Sequence, residues 1–401
     1  MPNSADLASR DRLNGIEATR GFAALAIVIF HLVWIAQVKL PSTIDVLKYF
    51  LGFGVPLFFV ISAFSLGYGY LGRLDRGEGI VPFYIRRLFR IGPLFYFMLV
   101  VQMLLAKFVY GVTYPLRDLL LNLTFLFNFS PRLVDGIVPA SWSIGIEMIF
   151  YFILPGFLIL ARHYVGALIA LILSITAAAE WSASSLAVKE LNPSFAAHGF
   201  FLGMPYFCFG LLALHLYRSL ERTKLPFDHR VVAYGIYFIC PFAIAFLMFN
   251  GTVLGAFTEQ GVNIVQSSLW GLPFGLLCVA IALHPIWILV NRLTLFWGRV
   301  SYSLYLTHPG IIFFFHRMGV YEEINRVCGG VPTFSFLVSA TLTITVVSAI
   351  SWVTFSMIEV PGMALGRRLV QSRRRPEAVR ISSTPSPQMK AGSVSARITG
   401  A

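Results

Sequence analysis

Arg20 and His31 are ionisable side chains in the largely apolar segment 17–34, which begins at Glu17. At about 100° per residue they are roughly three helical turns apart, so both project from the same face of a helix. At about 1.5 Å per residue, His31 lies roughly 16 Å beyond Arg20, near the middle of a bilayer core about 30 Å thick. A histidine at that depth is suited to proton or acyl transfer. Alternatively, it could have only a structural role, as a hydrogen-bond partner of a neighbouring helix.

A cluster of arginines occurs in "FYIRRLFRIGPLFYF", at positions 86, 87 and 90. If this stretch is helical, Arg87 and Arg90 are i and i+3, and Arg86 and Arg90 are i and i+4, so the three guanidinium groups crowd one side. An anion with several phosphates would turn their mutual repulsion into bidentate binding. Ordinary positive charge at a cytoplasmic helix end explains the sign of this cluster but not its density. We therefore expect a phosphate-rich ligand here.

A third polar group occurs in "PASWSIGIEMIFYFILP", where Ser143, Glu147 and Tyr151 recur every four residues. They share one face of a helix, which places a carboxylate inside an apolar segment. Counted from the outer ends of their segments, Glu147 and His31 lie at similar depth. The two side chains could therefore meet.

A fourth polar group occurs in "GRVSYSLYLTHPGIIFFF". Ser301, Tyr305 and His308 follow a spacing of four and then three residues along one helix face, with Tyr302 beside it. This polar stripe enters the segment from its cytoplasmic end. It is either part of a substrate path, to which Ser143 would also belong, or a purely structural stripe.

The composition indicates the setting of these residues, because 57% of the 401 residues are hydrophobic and only 12% are charged. A soluble domain has roughly 25% charged residues. We therefore predict an all-α polytopic integral membrane protein with about ten transmembrane helices. The short apolar stretch from Leu116 is expected to be an interfacial or re-entrant helix. The ten apolar runs lie at 16–38, 48–70, 91–110, 141–161, 164–181, 197–217, 231–249, 264–288, 300–316 and 333–357.

The distribution of basic residues predicts the orientation. With ten spans both termini lie on one side, and most of the 31 Lys and Arg residues lie in the segments on that side. Basic loops stay in the cytoplasm, so both termini are expected there. The net charge of +13 therefore requires no nucleic-acid partner. We divide the chain into a cytoplasmic segment 1–12, a membrane domain 13–366 and a basic, disordered tail 367–401.

Six motifs occur here in the order and spacing of a known family. They are "RGFAALAIVIFH", "GVPLFFVISAF", "RRLFRIGPLFY", "SWSIGIEMIFYFILP", "SYSLYLTHP" and "IEVPG". Together they resemble the acyltransferase-3 family of bacterial membrane acyltransferases, over about residues 13–366. Members of that family add acetyl or other short acyl groups to hydroxyls of extracytoplasmic glycans, such as lipopolysaccharide O-antigen and exopolysaccharide.

The resemblance implies a role for individual residues of this chain. His31 would be the essential histidine, acting as a general base or as a nucleophile that carries the acyl group. Arg20 would be its partner in the first span, and Arg87 and Arg90 would serve the acyl-CoA donor. Glu147 falls at an acidic position of the family and would orient His31 or position the acceptor.

The resemblance also implies the partners and the location. Acetyl-CoA or another acyl-CoA would be the donor substrate, with no permanently bound cofactor. Independently of the resemblance, the four cysteines show no clustered metal-ligand spacing, so we expect no structural metal. An extracytoplasmic glycan or glycolipid would be the acceptor, and the protein would cross the bacterial inner membrane several times. Two rival classes remain: a secondary transporter with an intramembrane His and Glu site, and a membrane scaffold or sensor.

Overall fold

The computed structural model describes residues 4–74, 79–185, 192, 194–223, 226–249 and 264–382, and all regular secondary structure in these ranges is helical. The α-helices are α1 (Ser4–Ile35), α2 (Gly54–Leu74), α3 (Ile80–Tyr110), α4 (Leu116–Leu123), α5 (Trp142–Leu160), α6 (Tyr164–Ser185), α7 (Ser194–Ala197), α8 (Phe200–Arg222), α9 (His229–Phe249), α10 (Ile264–Leu269), α11 (Gly271–Leu283), α12 (Arg292–Arg299), α13 (Ser301–Arg317), α14 (Val320–Val327), α15 (Pro332–Thr354) and α16 (Val360–Ser382).

Eight helical segments of the described chain are long and apolar enough to cross a membrane. The predicted span 264–288 is divided between α10 and α11, and the predicted span 300–316 corresponds to α13, which has 17 residues. Apolar side chains on α6 and α9 are more than half exposed, including Ile172, Leu173 and Phe238. Such an exposed apolar surface is typical of helices that face lipid. The all-α, membrane-spanning class is thus confirmed for the described residues, while the count of ten spans and the orientation stay predictions.

Several helix boundaries differ from those read in the sequence. Helix α3 begins at Ile80 rather than near residue 91, so the arginine cluster lies within one continuous helix. Helix α1 begins at Ser4, so most of the polar segment 1–12 is helical. Helix α16 continues to Ser382, so residues 367–382 of the expected disordered tail are helical, and 383–401 lie outside the described residues. The stretch from Leu116 forms only the short helix α4, and its placement as an interfacial or re-entrant element stays a prediction.

Helix α1 is at the centre of the part of the fold that holds the polar motifs. It packs against α2, α12 and α13, while α13 also packs against α15, and α16 packs against α3. A π-helical segment, Phe355–Glu359, joins α15 to α16. A π turn holds more residues than an α turn and therefore rotates the side chains that follow it, and such segments are frequent at functional sites. Here it places Glu359 at the contact with α3 and α13.

Helices α2 and α8 approach closely at a glycine. A Cβ added at Gly210 would lie 2.3 Å from the carbonyl oxygen of Val60 and 2.8 Å from the Cβ of Ala63. Only a residue without a side chain allows the two backbones to come so near, as is common between membrane helices. This contact holds α2, and with it one wall of the site described below, against α8.

We expect Gly210→Ala to destabilise the protein by about 1–3 kcal/mol, because the new methyl group must displace the α2 backbone. The measurement is the thermal unfolding midpoint in detergent. Gly235→Ala is the matched control, since a Cβ at this glycine of α9 meets no atom within 4 Å. An equal midpoint for the two variants would contradict the close approach.

Candidate functional site

Helices α1, α2, α3, α5 and α13 surround a recess that contains about 630 Å³ of space free of protein atoms, including its mouth. The recess brings together side chains from all four polar groups found in the sequence. Its charged and polar lining residues are Arg20, Arg87, Arg90, Ser143, Glu147, Tyr151, Ser301, Tyr302 and Tyr305. His31 and His308 are the predicted site residues that do not line it.

Arg90 is held in the recess by a buried carboxylate. Its guanidinium forms an ion pair with Glu359, whose side chain is completely buried, and the hydroxyl of Ser303 donates a hydrogen bond to the same carboxylate. Close by, the hydroxyl of Tyr302 donates to the carbonyl oxygen of Ile91 at 2.8 Å. The two donors offset the cost of removing the Glu359 carboxylate from water. The ion pair with this fixed carboxylate in turn orients the guanidinium of Arg90.

Arg86 and Arg87, although adjacent, are in different situations. The Nε of Arg86 donates to the hydroxyl of Tyr70 at 2.9 Å, and Arg86 does not line the recess. Arg87 does line it, and its buried Nε has no hydrogen-bond partner within the described ranges. Its guanidinium lies 5.7 Å from the ring centre of Tyr151. A buried donor without a partner is costly, so Arg87 has the capacity to bind an anion that enters the recess.

Glu147 is hydrogen-bonded by two hydroxyl groups and not by a histidine. Ser62 donates to its Oε1 at 2.6 Å, and Tyr151 donates to the same oxygen. Ser62 is almost completely buried, with 1% of its surface exposed. The expected contact between Glu147 and His31 is not formed: the hydrogen-bond partners of His31 in the described chain are Ile27 and His308.

Tyr305 lies between the recess and the histidines. Its hydroxyl donates to the carbonyl oxygen of Ala140 at 2.9 Å and accepts a hydrogen bond from Ser143 at 2.7 Å. Its ring lies 5.8 Å from the ring of His308. Ser143 and Tyr305, expected from the sequence to lie along a substrate path, thus meet at one point on the lining of the recess.

The two intramembrane histidines form a pair. Nδ1 of His31 and Nε2 of His308 are 3.0 Å apart, and the ring centres are 4.8 Å apart. His308 is completely buried, whereas His31 is partly exposed. Titratable groups in direct contact inside a membrane protein are strong candidates for proton transfer.

Three residues that the structure places at the site were not predicted from the sequence: Ser62, Ser303 and Glu359. Glu359 could have been identified from the sequence, because it is a lone carboxylate that follows the apolar run 333–357 within the motif "IEVPG". No sequence signal marked Ser62 or Ser303, because serine is common in membrane helices. The hydrogen bonds of these two serines, to Glu147 and Glu359 respectively, depend on the tertiary structure.

Comparison with known proteins agrees with this arrangement of motifs. Residues 13–353 match the family model Acyl_transf_3, described as an acyltransferase domain. A protein of Acidianus two-tailed virus that is described as an acetyltransferase is 26% identical over 312 residues, covering 73% of this chain and 81% of that protein. No solved structure matches the chain.

Proposed function

The chain belongs to the acyltransferase-3 family, and from this we propose that it transfers an acyl group from cytoplasmic acyl-CoA to a hydroxyl of an extracytoplasmic glycan or glycolipid. The family and the similarity to a protein described as an acetyltransferase support membrane acyl transfer, and acetyl as the first acyl group to test. The observation that carries the donor assignment is the recess lined by Arg20, Arg87 and Arg90. The buried Nε of Arg87 has no hydrogen-bond partner in the part of the chain that the structure describes.

The proposed donor fits the chemistry of this recess. Acyl-CoA carries several phosphate charges on one end and a thioester on a slender arm at the other. Phosphate oxygens would satisfy the buried Nε of Arg87, and Arg90, already directed by Glu359, would add a second guanidinium. The thioester arm would then extend past Arg20 towards the centre of the membrane. We place this recess on the cytoplasmic side, together with both chain termini.

His31 is the proposed centre of the chemistry, by either of two routes. As a general base it would take the proton of the acceptor hydroxyl while that oxygen bonds to the thioester carbon. The carbon–sulfur bond then breaks, and His31 gives the proton to the thiolate that leaves. As a nucleophile it would displace the thiolate, carry the acyl group and pass it to the acceptor oxygen, whose proton goes to the thiolate. Glu147, held by Ser62 and Tyr151, would position a substrate group in the recess.

Arg87→Ala should weaken donor binding by about 1.5–3 kcal/mol, which is a rise of roughly tenfold or more in the KM for acetyl-CoA. Because the chemical step is unaffected, saturating donor should restore most of kcat. Arg86→Ala removes the same charge one residue away, outside the recess, and is the matched control. If both variants raise the donor KM equally, the effect is general surface charge and Arg87 is not a donor ligand.

His31→Gln should reduce acyl transfer at least about a hundredfold while leaving insertion and the donor KM near normal. An amide of similar reach keeps a hydrogen bond but neither accepts a proton nor carries an acyl group. The assay is transfer of labelled acetyl from acetyl-CoA to envelope glycan in membranes with matched protein levels. His163→Gln, at the solvent-exposed junction of α5 and α6, is the control substitution. Near-normal activity of His31→Gln would exclude His31 as base or carrier.

A further inference from the structure

His308 uses both of its ring nitrogens within the protein. Its Nδ1 lies 3.1 Å from the carbonyl oxygen of Leu304, and its Nε2 lies 3.0 Å from Nδ1 of His31. A carbonyl oxygen only accepts, so Nδ1 must carry the hydrogen, and in a neutral imidazole Nε2 is then an acceptor. The ring is completely buried. His308 therefore has no free nitrogen with which to contact a substrate.

The same reasoning assigns the nitrogens of His31. Its Nδ1 lies 3.1 Å from the carbonyl oxygen of Ile27 and 3.0 Å from the accepting Nε2 of His308. Both neighbours accept, so Nδ1 of His31 carries a hydrogen that the two share. The lone pair of the neutral ring is then on Nε2, which has no hydrogen-bond partner among the described residues. The pair as a whole has one nitrogen available for chemistry.

We propose that His308 is a positioning residue for His31: it accepts the Nδ1 hydrogen and thereby holds His31 in the tautomer whose Nε2 is the base or the nucleophile. This rests on the proposed acyl transfer. In hydrolytic triads a buried carboxylate accepts the Nδ1 hydrogen of the histidine in the same way. A neutral imidazole does this without placing a second charge in the membrane, where an unpaired carboxylate is expensive. Glu147 is engaged by Ser62 and Tyr151 and is not available for the task.

The proposal specifies where the proton goes on the general-base route. Nε2 of His31 takes the hydroxyl proton as the new carbon–oxygen bond forms, and gives it to the thiolate released when the carbon–sulfur bond breaks. Between these events His31 is an imidazolium, and its Nδ1–H bond to the neutral acceptor His308 strengthens. On the carrier route Nε2 bonds to the acyl carbon as the carbon–sulfur bond breaks and the thiolate leaves. The acceptor oxygen then bonds to the acyl carbon as the carbon–nitrogen bond breaks, and the hydroxyl proton goes to the thiolate. On both routes His308 accepts the Nδ1 hydrogen of His31.

Three substitutions at His308 test this role. His308→Gln places an amide oxygen at the position of Nε2, whereas His308→Asn is too short to reach it and His308→Phe fills the space without an acceptor. We expect His308→Gln to keep kcat within about tenfold of the parent protein. The Asn and Phe variants should lose on the order of a hundredfold or more in kcat, with the KM for acetyl-CoA unchanged. Retained kcat in the Phe variant, or an equal loss in all three, would overturn the proposal.

A spectroscopic measurement tests the pairing independently of activity and of whether the His308 variants fold. The parent protein, labelled with ¹⁵N in its histidine rings, should give His31 signals of the tautomer with hydrogen on Nδ1. His31→Gln assigns these signals by their loss. A His31 ring with its hydrogen on Nε2 would overturn the inference even if the protein transfers acetyl groups. If the expected tautomer is seen in a protein without acetyl-CoA activity, the proposed function fails and the pairing stands.

Discussion

Charged side chains inside an apolar helical body must find partners there, and the organisation of this protein follows from how that requirement is met. Glu359 is compensated by Arg90 and Ser303, and Glu147 by the hydroxyls of Ser62 and Tyr151. Removing a charge from water costs far more than a single hydrogen bond returns, so each carboxylate needs several donors. Among the residues that the structure describes, the buried Nε of Arg87 has no hydrogen-bond partner. This buried donor is the reason for proposing that the recess binds an anion.

The arginine side chains and the histidine pair occupy different places in the helical bundle. Guanidinium groups on α1 and α3 line the recess, whereas the histidine pair of α1 and α13 lies beyond Tyr305 and does not line it. A polyanionic donor held at the arginines would have to extend its reactive end past Tyr305 to reach His31. This separation suits a reaction whose donor and acceptor are on opposite sides of a membrane, because only the small acyl group has to cross the protein.

Much of the fold and the membership of the site could be predicted from the sequence. Long apolar runs predict membrane helices, and the family resemblance carried by six short motifs is confirmed by the match over residues 13–353. The spacing of Arg20, Arg87, Arg90 and Glu147 also predicted their helix faces, and all four residues line one recess.

The hydrogen-bond partner of His31 was not predictable from the sequence. Residue counting gives the depth of a side chain along its own helix, but the rotation of each helix relative to its neighbours decides whether Glu147 or His308 meets the imidazole. The π-helical turn before α16 is a similar case, since it changes the direction of Glu359 without a clear signal in the sequence.

The most direct test of this account measures acetyl transfer across a sealed membrane. Protein is reconstituted in vesicles whose orientation is read by an impermeant thiol reagent, since Cys328 is the cysteine that is not buried and lies in a predicted outer loop. Labelled acetyl-CoA is supplied on the face with the arginine recess or on the opposite face, and envelope glycan is supplied on the face of Cys328. We expect labelled glycan only when donor and glycan are on opposite faces. Transfer that requires both on the same face would contradict it.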